Sequence, residues 1–471
     1  MLFGSVKTVN NKFYVTGVTS TIRSPYYGKA VFGKIEANGA VDFINAVVDS
    51  DNYNYDIFWN SLKKTADGNF IVTGDVKDSI QKAFLMKVDS NGQILFWHEY
   101  TEAGNLIFQG DDLIELPDSG YLLAINIARS DLISDVMIIR TDINGNIINK
   151  RDYFNGNVAY PQIIRAMSNG HYMVGAWSGP TTNNTPYRAK TWLIEVDRMG
   201  NEVRNWVDTV PKNLWPNGME QTADSGWIIV RQHVAYDVSN FQELNASVLK
   251  LDKNFNKEWE LHLGDSSDLT GFYDIKILPD GKYLACGTTP IWGTDSAYYW
   301  GWLVKIDING TVLWDRKYTS KPQFGAHSML SSMEYLPNGD IVACGQLDLT
   351  FSIDNSAIQQ GWIIHTDSNG CLIDNCGRIG VGIDELNSSQ QAEIKVYPNP
   401  ARDCLQFETS IATPGTILSI YDMYGRAISQ KELSVNGITT ISTLLWNSGL
   451  FLWIIRENEI PVGQGKLEIM K

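Results

Sequence analysis

The chain has 471 residues, enough for two or three domains, and 44% of them are hydrophobic, as in an ordinary globular protein. No apolar run approaches the ~18 residues that a membrane-spanning helix requires. The net charge of −15 disfavours nucleic acid as a partner, because affinity for a phosphate backbone comes mainly from Lys and Arg.

A polar turn that follows an apolar run recurs seven times in the first 376 residues. In the second copy it reads Lys87-Val88-Asp89-Ser90-Asn91-Gly92. The acidic residues of the seven copies are Glu36, Asp89, Asp142, Asp197, Asp252, Asp307 and Asp367, at spacings of 53, 53, 55, 55, 55 and 60 residues. This regularity indicates a repeated structural unit.

A second turn occurs upstream within the unit, as in Asp67-Gly68 and Asp280-Gly281. Asp-Gly and Asn-Gly between short apolar runs predict hairpins with tight primed turns, since these residues tolerate a positive φ. Each unit should therefore contain four strands in the order A, tight turn, B, loop, C, tight turn, D. Four-stranded units of ~50 residues are typical of propeller blades. We predict an all-β fold with a seven-bladed β-propeller over residues 1–376.

Aromatic residues recur at equivalent places in these units. Phe84, Trp192, Trp302 and Trp362 stand five residues before the turn acid, and Trp97, Trp206, Trp259 and Trp314 follow it. We expect them to pack between blades rather than to bind a ligand. The units loosely resemble the repeats of quinoprotein-like and kelch-like propellers, a resemblance that transfers no binding residue. Such rings usually close with a strand from each terminus, so residues upstream of Met1 are expected to matter for closure.

The loops from B to C and from D to the next A are long and differ between units, which predicts that they carry the function. The candidate ligand-face residues are Tyr26, Tyr27, Asp49, Asp51, Trp59, Trp215, Trp292, Tyr298 and Tyr299. Aromatic rings beside carboxylates suit sugars, whose C–H faces stack and whose hydroxyls donate to carboxylates. The set therefore suggests a polysaccharide or surface-glycan ligand. The alternative for each aromatic residue is packing within its own loop.

No catalytic residue, metal site or cofactor is predicted. The Asp-x-Asn-Gly turns have Gly at the fourth position, whereas an EF-hand requires Gly at the sixth and Glu at the twelfth. The histidines are dispersed without zinc-binding spacing. The serine in Gly175-Ala176-Trp177-Ser178-Gly179 is one position too late for a nucleophile elbow.

The five cysteines fall into three groups. Cys286 and Cys344 occupy the same place on strand B of two units and are expected to be free and buried. Cys371 and Cys376, at the end of the last unit, are predicted to form a disulfide in an oxidising compartment. Cys404 is left over and is expected to be buried in the C-terminal segment.

The pattern changes after the repeats. Residues 377–393 are polar and predict a linker. Short strands then resume without the propeller period, at Ile394–Tyr397, Leu405–Thr409, Thr416–Tyr421, Ala427–Glu432, Gly437–Thr440, Gly449–Arg456 and Gly465–Ile469. Seven short strands suit a small immunoglobulin-like β-sandwich over residues 394–471.

This last segment contains a set of specific motifs. They are Tyr397-Pro398-Asn399-Pro400 with Asp403, Tyr421-Asp422 with Gly425-Arg426, and Gly449 ahead of a strand. The segment resembles the C-terminal sorting domain of the type IX (Por) secretion system of Bacteroidetes. The resemblance implies recognition by the type IX secretion machinery, followed by cleavage near the linker and release or surface attachment. A generic adhesive β-sandwich is the alternative.

The first residues, 1–7, have neither the basic segment nor the apolar stretch of a signal peptide. The resembled family uses such a peptide, so we expect a mature form or a fragment; the alternative is a false match in a cytoplasmic protein. We predict a secreted or surface-attached binding or adhesion protein for a glycan or a surface protein. The alternative is a polysaccharide hydrolase or lyase that acts at the long-loop face, so the question of enzyme activity stays open.

Overall fold

The structure, a computed structural model, describes residues 2–20, 28–36, 39–46, 56–77, 80–102, 107–130, 133–182, 185–186, 189–209, 214–233, 246–264, 270–292, 297–319, 327–350, 357–372, 394–409, 413–422, 427–435, 437–444, 446–457 and 460–470. The chain divides into two compact units, Met1–Gly382 (unit 1) and Ile383–Lys471 (unit 2). The regular elements of the described residues are all strands. Within these ranges there is no helix long and apolar enough to cross a membrane.

Unit 1 begins with three four-stranded antiparallel sheets. Sheet 1 contains β1 (Leu2–Val9), β2 (Lys12–Ser20), β3 (Gly28–Glu36) and β4 (Val41–Ala46). Sheet 2 contains β5 (Asp56–Lys64), β6 (Phe70–Lys77), β7 (Gln81–Val88) and β8 (Ile94–Tyr100). Sheet 3 contains β9 (Ile107–Glu115), β10 (Tyr121–Ser130), β11 (Ile133–Thr141) and β12 (Ile147–Tyr153).

Four further groups of strands, called sheets 4 to 7, follow in chain order. Sheets 5 and 6 are joined into one eight-stranded sheet by the pair Gln232 and Gly271. Sheet 4 contains β13 (Val158–Ala166), β14 (Tyr172–Gly179), β17 (Lys190–Val196) and β18 (Glu202–Val207), with β15 (Thr181–Thr182) and β16 (Thr185–Pro186) as a separate hairpin. Sheet 5 contains β19 (Leu214–Gln221), β20 (Trp227–His233), β21 (Ala246–Leu251) and β22 (Lys257–Leu263). Sheet 6 contains β23 (Gly271–Ile277), β24 (Tyr283–Trp292), β25 (Ala297–Ile306) and β26 (Val312–Tyr318). Sheet 7 contains β27 (His327–Tyr335), β28 (Ile341–Thr350) and β29 (Ala357–Thr366).

The sheets of unit 1 follow one another around a closed ring. The first strand of each sheet packs against the preceding sheet, and β1 packs against β27 and β28. At that junction Phe3 shares an apolar cluster with Cys344, and Lys7 pairs with Glu334. The predicted all-β fold of propeller type is confirmed. A fourth strand of sheet 7 would follow Leu372, outside the described residues, so the predicted composition of that blade is not tested.

The predicted tight turns are present, but most have a different geometry. Asp89 Oδ1 accepts hydrogen bonds from the backbone N–H of Asn91 (2.8 Å) and Gln93 (2.9 Å). Gly92 has φ +84, its N–H donates to the Asp89 carbonyl oxygen at 3.1 Å, and the Asp89 N–H donates to the Gln93 carbonyl oxygen at 2.9 Å. These are the bonds of a type I turn followed by a left-handed bulge residue. The same carboxylate pattern recurs at Asp142, Asp197, Asp252, Asp307 and Asp367. The prediction of primed turns was wrong here; among the described turns, Asn10-Asn11 is primed, with φ of 50 and 60.

The recurring aromatic residues pack in apolar clusters that neighbouring sheets share, as predicted. Phe84 stacks on Trp97 with ring centroids 4.4 Å apart. Trp192 and Trp302 are buried. A related contact links sheets 2 and 3, where the hydroxyl of Tyr100 donates to the carbonyl oxygen of Gly145 at 2.7 Å. The glycine of one sheet's turn is thus held by a tyrosine of the sheet before it.

Unit 2 contains two sheets with a common core. The first comprises β30 (Ile394–Tyr397), β31 (Cys404–Thr409) and β34 (Ile438–Ser442). The second comprises β32 (Ile417–Asp422), β33 (Ala427–Glu432), β35 (Gly449–Glu457) and β36 (Ile460–Ile469). Phe407 of one sheet meets Trp453 of the other edge to face, with centroids 5.3 Å apart. The predicted strands and β-sandwich are confirmed; the predicted linker, residues 377–393, lies outside the described residues.

The cysteines agree with the predictions only in part. Cys286 and Cys344 are buried and free, as expected. Cys404 is exposed, which corrects the expectation that it is buried: Leu405 and Phe407 face the core, so strand alternation turns Cys404 outward.

Candidate functional site

The first strand of every sheet in unit 1 carries a β-bulge at the same place. The bulge residues, which have no register partner in the second strand, are Gly4, Asn60, Asp111, Gln162, Asn217, Tyr273 and Ser331. A bulge bends its strand and re-aims side chains out of the ladder. Gly4, Asp111, Gln162, Asn217, Tyr273 and Ser331 line one cavity at the centre of the ring, called here the central cavity.

The central cavity has a volume of about 430 Å³ and is bounded by residues from all seven first strands. Its charged lining residues are Lys7, Lys63, Lys64, Arg165 and Lys276 together with Asp111, Asp112, Glu115, Glu220 and Asp274. The formal charges of this set cancel, although the whole chain carries −15. Binding sites for small molecules commonly occupy ~300–1,000 Å³. The cavity is therefore large enough to hold a small ligand.

Asp112 connects three sheets at the wall of the central cavity. Its Oδ1 accepts a hydrogen bond from Ser61 Oγ at 2.5 Å and pairs with Lys63 Nζ at 2.9 Å, both from sheet 2. Its Oδ2 accepts from the backbone N–H of Ile164 at 3.0 Å and from Arg165 Nη1 at 2.9 Å, both from sheet 4. Burial alone would raise the pKa of Asp112, but the two cations and the hydrogen bonds lower it to about 2. This carboxylate is ionised and committed to structural contacts.

Asp274 repeats this arrangement between sheets 6 and 7. Like Asp112, it directly follows a bulge residue, and its Oδ2 accepts from a backbone N–H of the next sheet, that of Met333, at 3.1 Å. Its Oδ1 accepts from Lys276 Nζ at 2.9 Å. Burial opposes ionisation, but Lys276 and Arg165 lower the pKa of Asp274 below its ordinary value. Both carboxylates therefore join neighbouring sheets around the cavity.

Asp111 has a different environment from its neighbour. Its Oδ2 is buried and accepts no hydrogen bond from the described residues. Burial raises the pKa of Asp111 well above its ordinary value, and the negative charges of Asp75 and Asp112 act in the same direction. The backbone of Asn126 acts in the opposite direction. A carboxyl with a raised pKa and one with a lowered pKa thus stand side by side on the cavity wall.

Lys63 is the second cavity residue with a strongly shifted pKa. Burial lowers the pKa of its ammonium group to about 8, and the positive charges of Arg165 and Lys7 contribute, against the attraction of Asp112. Groups that titrate near neutral pH in a cavity are frequent at binding and catalytic sites.

An aromatic stack joins sheets 4 and 5. The rings of Tyr160 and Trp177 stack with centroids 4.5 Å apart, and those of Trp177 and Trp215 are 5.0 Å apart and nearly parallel. Trp177 is buried, whereas Tyr160 and Trp215 are partly exposed. Tyr160 and Trp215 each precede a cavity-lining bulge residue by two positions, Gln162 and Asn217 respectively. The stack thus places flat apolar surface two residues along the strand from each of these two cavity-lining residues.

The structure describes few of the ligand-face residues predicted from sequence. Trp215 belongs to the stack just described, and Tyr299 on β25 lies against His327 with ring centroids 5.1 Å apart. Trp59, Trp292 and Tyr298 lie on β5, β24 and β25, but their side chains are outside the description; Tyr26, Tyr27, Asp49 and Asp51 lie outside the described residues altogether. The long-loop face therefore stays a prediction.

The central cavity was not predicted from the sequence, because the predicted ligand-face residues were assigned to loops. Its lining comes from the middle of the first strands. A signal was present, because charged residues interrupt otherwise apolar strands, as Asp111-Asp112 do in β9 and Asp274 does in β23. Their convergence depends on the order of sheets around the ring, which a single strand does not reveal.

The described residues contain no cluster of three or more His, Cys, Asp or Glu that could hold a metal ion. Cys371 is half-buried with a free thiol, and Cys376 lies outside the described residues. The predicted disulfide between them has no support from the structure.

The sorting motif of unit 2 is held by its asparagine. Asn399 Oδ1 accepts a hydrogen bond from the backbone N–H of Glu468 at 2.8 Å, and its Nδ2 donates to the carbonyl oxygen of Lys466 at 3.3 Å. Pro398 and Pro400 each follow a cis peptide bond, and the hydroxyl of Tyr397 donates to Glu408. The carbonyl oxygen of Asp403 accepts a hydrogen bond from the Thr443 N–H. Gly449 begins β35, and Gly425 lies outside the described residues. The motif is thereby tied to the last strand of the sandwich.

Comparison with protein families identifies this segment. Residues 395–467 match the model of the secretion system C-terminal sorting domain. The chain therefore carries a type IX sorting domain, which indicates secretion or attachment to the cell surface and interaction with the type IX secretion machinery. No curated protein matches the chain.

Solved structures share only distant likeness with the chain. A puromycin hydrolase has a TM-score of 0.48 at 11% identity, covering 88% of this chain and 59% of its own. A Bacteroides caccae protein of unknown function has a TM-score of 0.39 at 13% identity, covering 64% and 93%. An α-L-arabinanase of Penicillium chrysogenum has a TM-score of 0.40 at 11% identity, covering 64% and 92%. At this distance none of them bears on the activity of this chain.

Proposed function

We propose that this chain is an exported or cell-surface binding protein whose ligand is a glycan or a surface protein. The sorting domain supports the location. The observation that carries the binding role is the central cavity, to which all seven first strands contribute residues. A ligand in such a cavity can be contacted from every side by side chains on rigid strands, which favours tight and selective binding.

The state of the carboxylates favours binding over catalysis. Hydrolysis of glycosides usually requires two carboxyl groups, one to donate a proton and one to act as nucleophile or base. Asp112 and Asp274 are already engaged by cations and backbone N–H groups. Glu220 lies 3.6 Å from Arg165 Nε, and Glu115 accepts from the backbone N–H of Ala66. These contacts support a preformed binding surface.

The aromatic stack gives this surface an apolar part. Tyr160 and Trp215 remain partly exposed, each two residues before a cavity-lining bulge residue. Flat rings of this kind stack on the C–H faces of sugars and also suit protein side chains. The long-loop residues predicted from sequence would extend the same surface outward.

Binding can be tested with the full-length chain on an immobilised glycan array and in pull-downs of surface proteins from Bacteroidetes cells. The double variant Gln162→Ala, Asn217→Ala removes two polar groups from the cavity and should reduce affinity for any captured ligand at least about tenfold. Gln93→Ala, at an exposed turn position, is the matched control and should bind normally. Equal binding by both variants would contradict a ligand site in the cavity, and no binding by the wild type would contradict the function.

One observation favours an enzyme as the second candidate. Asp111 has a raised pKa and lines the cavity next to an ionised carboxylate, the arrangement expected of a proton donor. Release of reducing ends or unsaturated products from a polysaccharide panel would demonstrate this activity. Loss of that release in Asp111→Asn, with binding retained, would assign proton donation to Asp111; an inactive wild type would leave only the binding role.

A further inference from the structure

The ion pairs around the central cavity disfavour a strongly charged ligand. Its lining has five basic and five acidic residues, and protonation of Asp111 shifts this balance by one positive charge. Six of the ten are paired with each other: Lys63 and Arg165 with Asp112, Lys276 with Asp274, and Glu220 with Arg165 and Lys276. An anion or cation would have to compete with these internal pairs and would leave buried charges uncompensated, which is costly. A neutral ligand would leave the pairs intact.

The bulge residues provide hydrogen-bonding groups for a neutral ligand. Asn217 Nδ2 donates to Gln232 Oε1 and to the Phe272 carbonyl oxygen, which leaves its Oδ1 as an acceptor for a ligand. Gln162 Nε2 donates to the Pro161 carbonyl oxygen at 2.9 Å, which leaves its Oε1 and one N–H. Tyr273 and Ser331 add hydroxyls to the lining. Each of these four bulge residues lines the cavity from a different sheet. Donors and acceptors arranged around a ligand match the hydroxyls of a sugar, each of which both donates and accepts.

Asp111 fits the same set when it is protonated. The titratable groups that face it are Asp75 on β6 and Asp112 on its own strand, and Asn126 on β10 adds a polar contact. Both carboxylates disfavour a negative charge on Asp111, and its Oδ2 accepts no hydrogen bond from the described residues. A protonated carboxyl can donate one hydrogen bond to a ligand oxygen.

We infer that the central cavity binds an uncharged polyhydroxylated group, the size of about one or two sugar rings, through the bulge residues Asp111, Gln162 and Asn217. The inference rests on the proposed binding function and narrows its ligand. Acidic sugars and protein side chains are then excluded from the cavity itself. Tyr160 and Trp215 would contact the apolar face of the same group or of its neighbour.

The ligand class can be tested by calorimetry of the full-length chain with two sets of sugars. Glucose, galactose, N-acetylglucosamine and their disaccharides form the neutral set; glucuronic acid and N-acetylneuraminic acid form the anionic set. At least one neutral sugar should bind, and the anionic sugars should bind at least about tenfold more weakly. Preference for an anionic sugar, or binding of a surface protein with no neutral sugar, would overturn this inference but leave the proposed function standing. Absence of every sugar and protein ligand would overturn both.

The role of Asp111 is tested with the bound neutral sugar between pH 5 and pH 9. Asp111→Ala should lose about tenfold in affinity, whereas Asp111→Asn keeps a neutral donor and should stay close to wild type. Wild-type affinity should fall as rising pH removes the proton, and Asp111→Asn should show no such fall. Unchanged affinity in Asp111→Ala, or the same fall in Asp111→Asn, would overturn the role of Asp111. Thermal melting of each variant confirms that it is folded.

Discussion

The carboxylate of Asp112 in sheet 3 accepts a hydrogen bond from the backbone N–H of Ile164 in sheet 4, at 3.0 Å. The same bond recurs between Asp274 and Met333, at 3.1 Å. In each pair the acid directly follows a bulge, and the N–H belongs to the second residue after the bulge of the next sheet. The bulges therefore both shape the central cavity and provide the bonds that join neighbouring sheets around it.

Removal of the Asp112 carboxylate should destabilise unit 1 strongly. Asp112→Ala leaves Lys63 and Arg165 without their shared partner and should lower the free energy of unfolding by about 3 kcal/mol or more. Asp274→Ala is the matched variant and should cost less, because one cation rather than two contacts that carboxylate. Urea denaturation followed by tryptophan fluorescence measures both values. Equal or negligible losses would contradict the structural role given to Asp112.

Asp111 should make unit 1 less stable as pH rises. Its pKa is raised in the folded state, so between the ordinary carboxyl value of ~4 and the raised value the folded chain holds a proton that the unfolded chain has lost. Stability contributed by the protonated form is therefore complete at low pH and lost as pH increases through that interval. Asp111→Asn should be more stable than wild type at pH 7 and similar to it below pH ~4. Melting temperatures between pH 3 and pH 8 decide this; a gap that widens at low pH would contradict it.

The tyrosine contact between sheets 2 and 3 should have a modest, measurable effect. Tyr100→Phe removes the hydroxyl that donates to the Gly145 carbonyl and should lower stability by about 1 kcal/mol. Tyr397→Phe is the control, since this tyrosine belongs to unit 2 and its hydroxyl contacts Glu408. Calorimetry should show a lower melting temperature of unit 1 for Tyr100→Phe and an unchanged one for Tyr397→Phe.

Export should depend on unit 2 and on the anchoring of its motif. Deletion of residues 394–471 should leave the protein in the periplasm, because the sorting domain is the part recognised for secretion. Asn399→Ala removes both side-chain hydrogen bonds to the last strand and should reduce the exported fraction. Asn91→Ala, at an exposed turn of unit 1, is the control. Fractionation and immunoblotting measure the outcome, and unchanged export of the deletion variant would refute the assignment.

The cysteines should differ in reactivity. Cys404 is exposed and should be alkylated rapidly in the native protein. Cys286 and Cys344 are buried, and burial raises the pKa of both thiols, so they should react only after denaturation. Mass mapping after brief native labelling distinguishes the peptides. Rapid labelling of Cys286 would show that sheet 6 opens readily.

Several features were predictable because they depend on neighbours in sequence. The turn acids such as Asp89 and Asp142 bond to backbone N–H groups only two and four residues away, so their spacing alone located the hairpins. The strands of unit 2 were located for the same reason, since alternation of apolar residues is local. The type of turn was not predictable from the sequence, because Asp-Gly is compatible with both a primed turn and a type I turn followed by a left-handed glycine.

By itself the sequence determined the repeat, the all-β class and the identity of the C-terminal sorting segment, because periodicity, turn chemistry and a specific motif are written in consecutive residues. The tertiary structure alone decided where polar groups converge. Asp111, Gln162 and Asn217 are separated by about fifty residues each, and they line one cavity only because the first strands of successive sheets meet at the centre of the ring. The opposite pKa shifts of Asp111 and Asp112 follow from contacts with other sheets, which no property of the two adjacent aspartates could reveal.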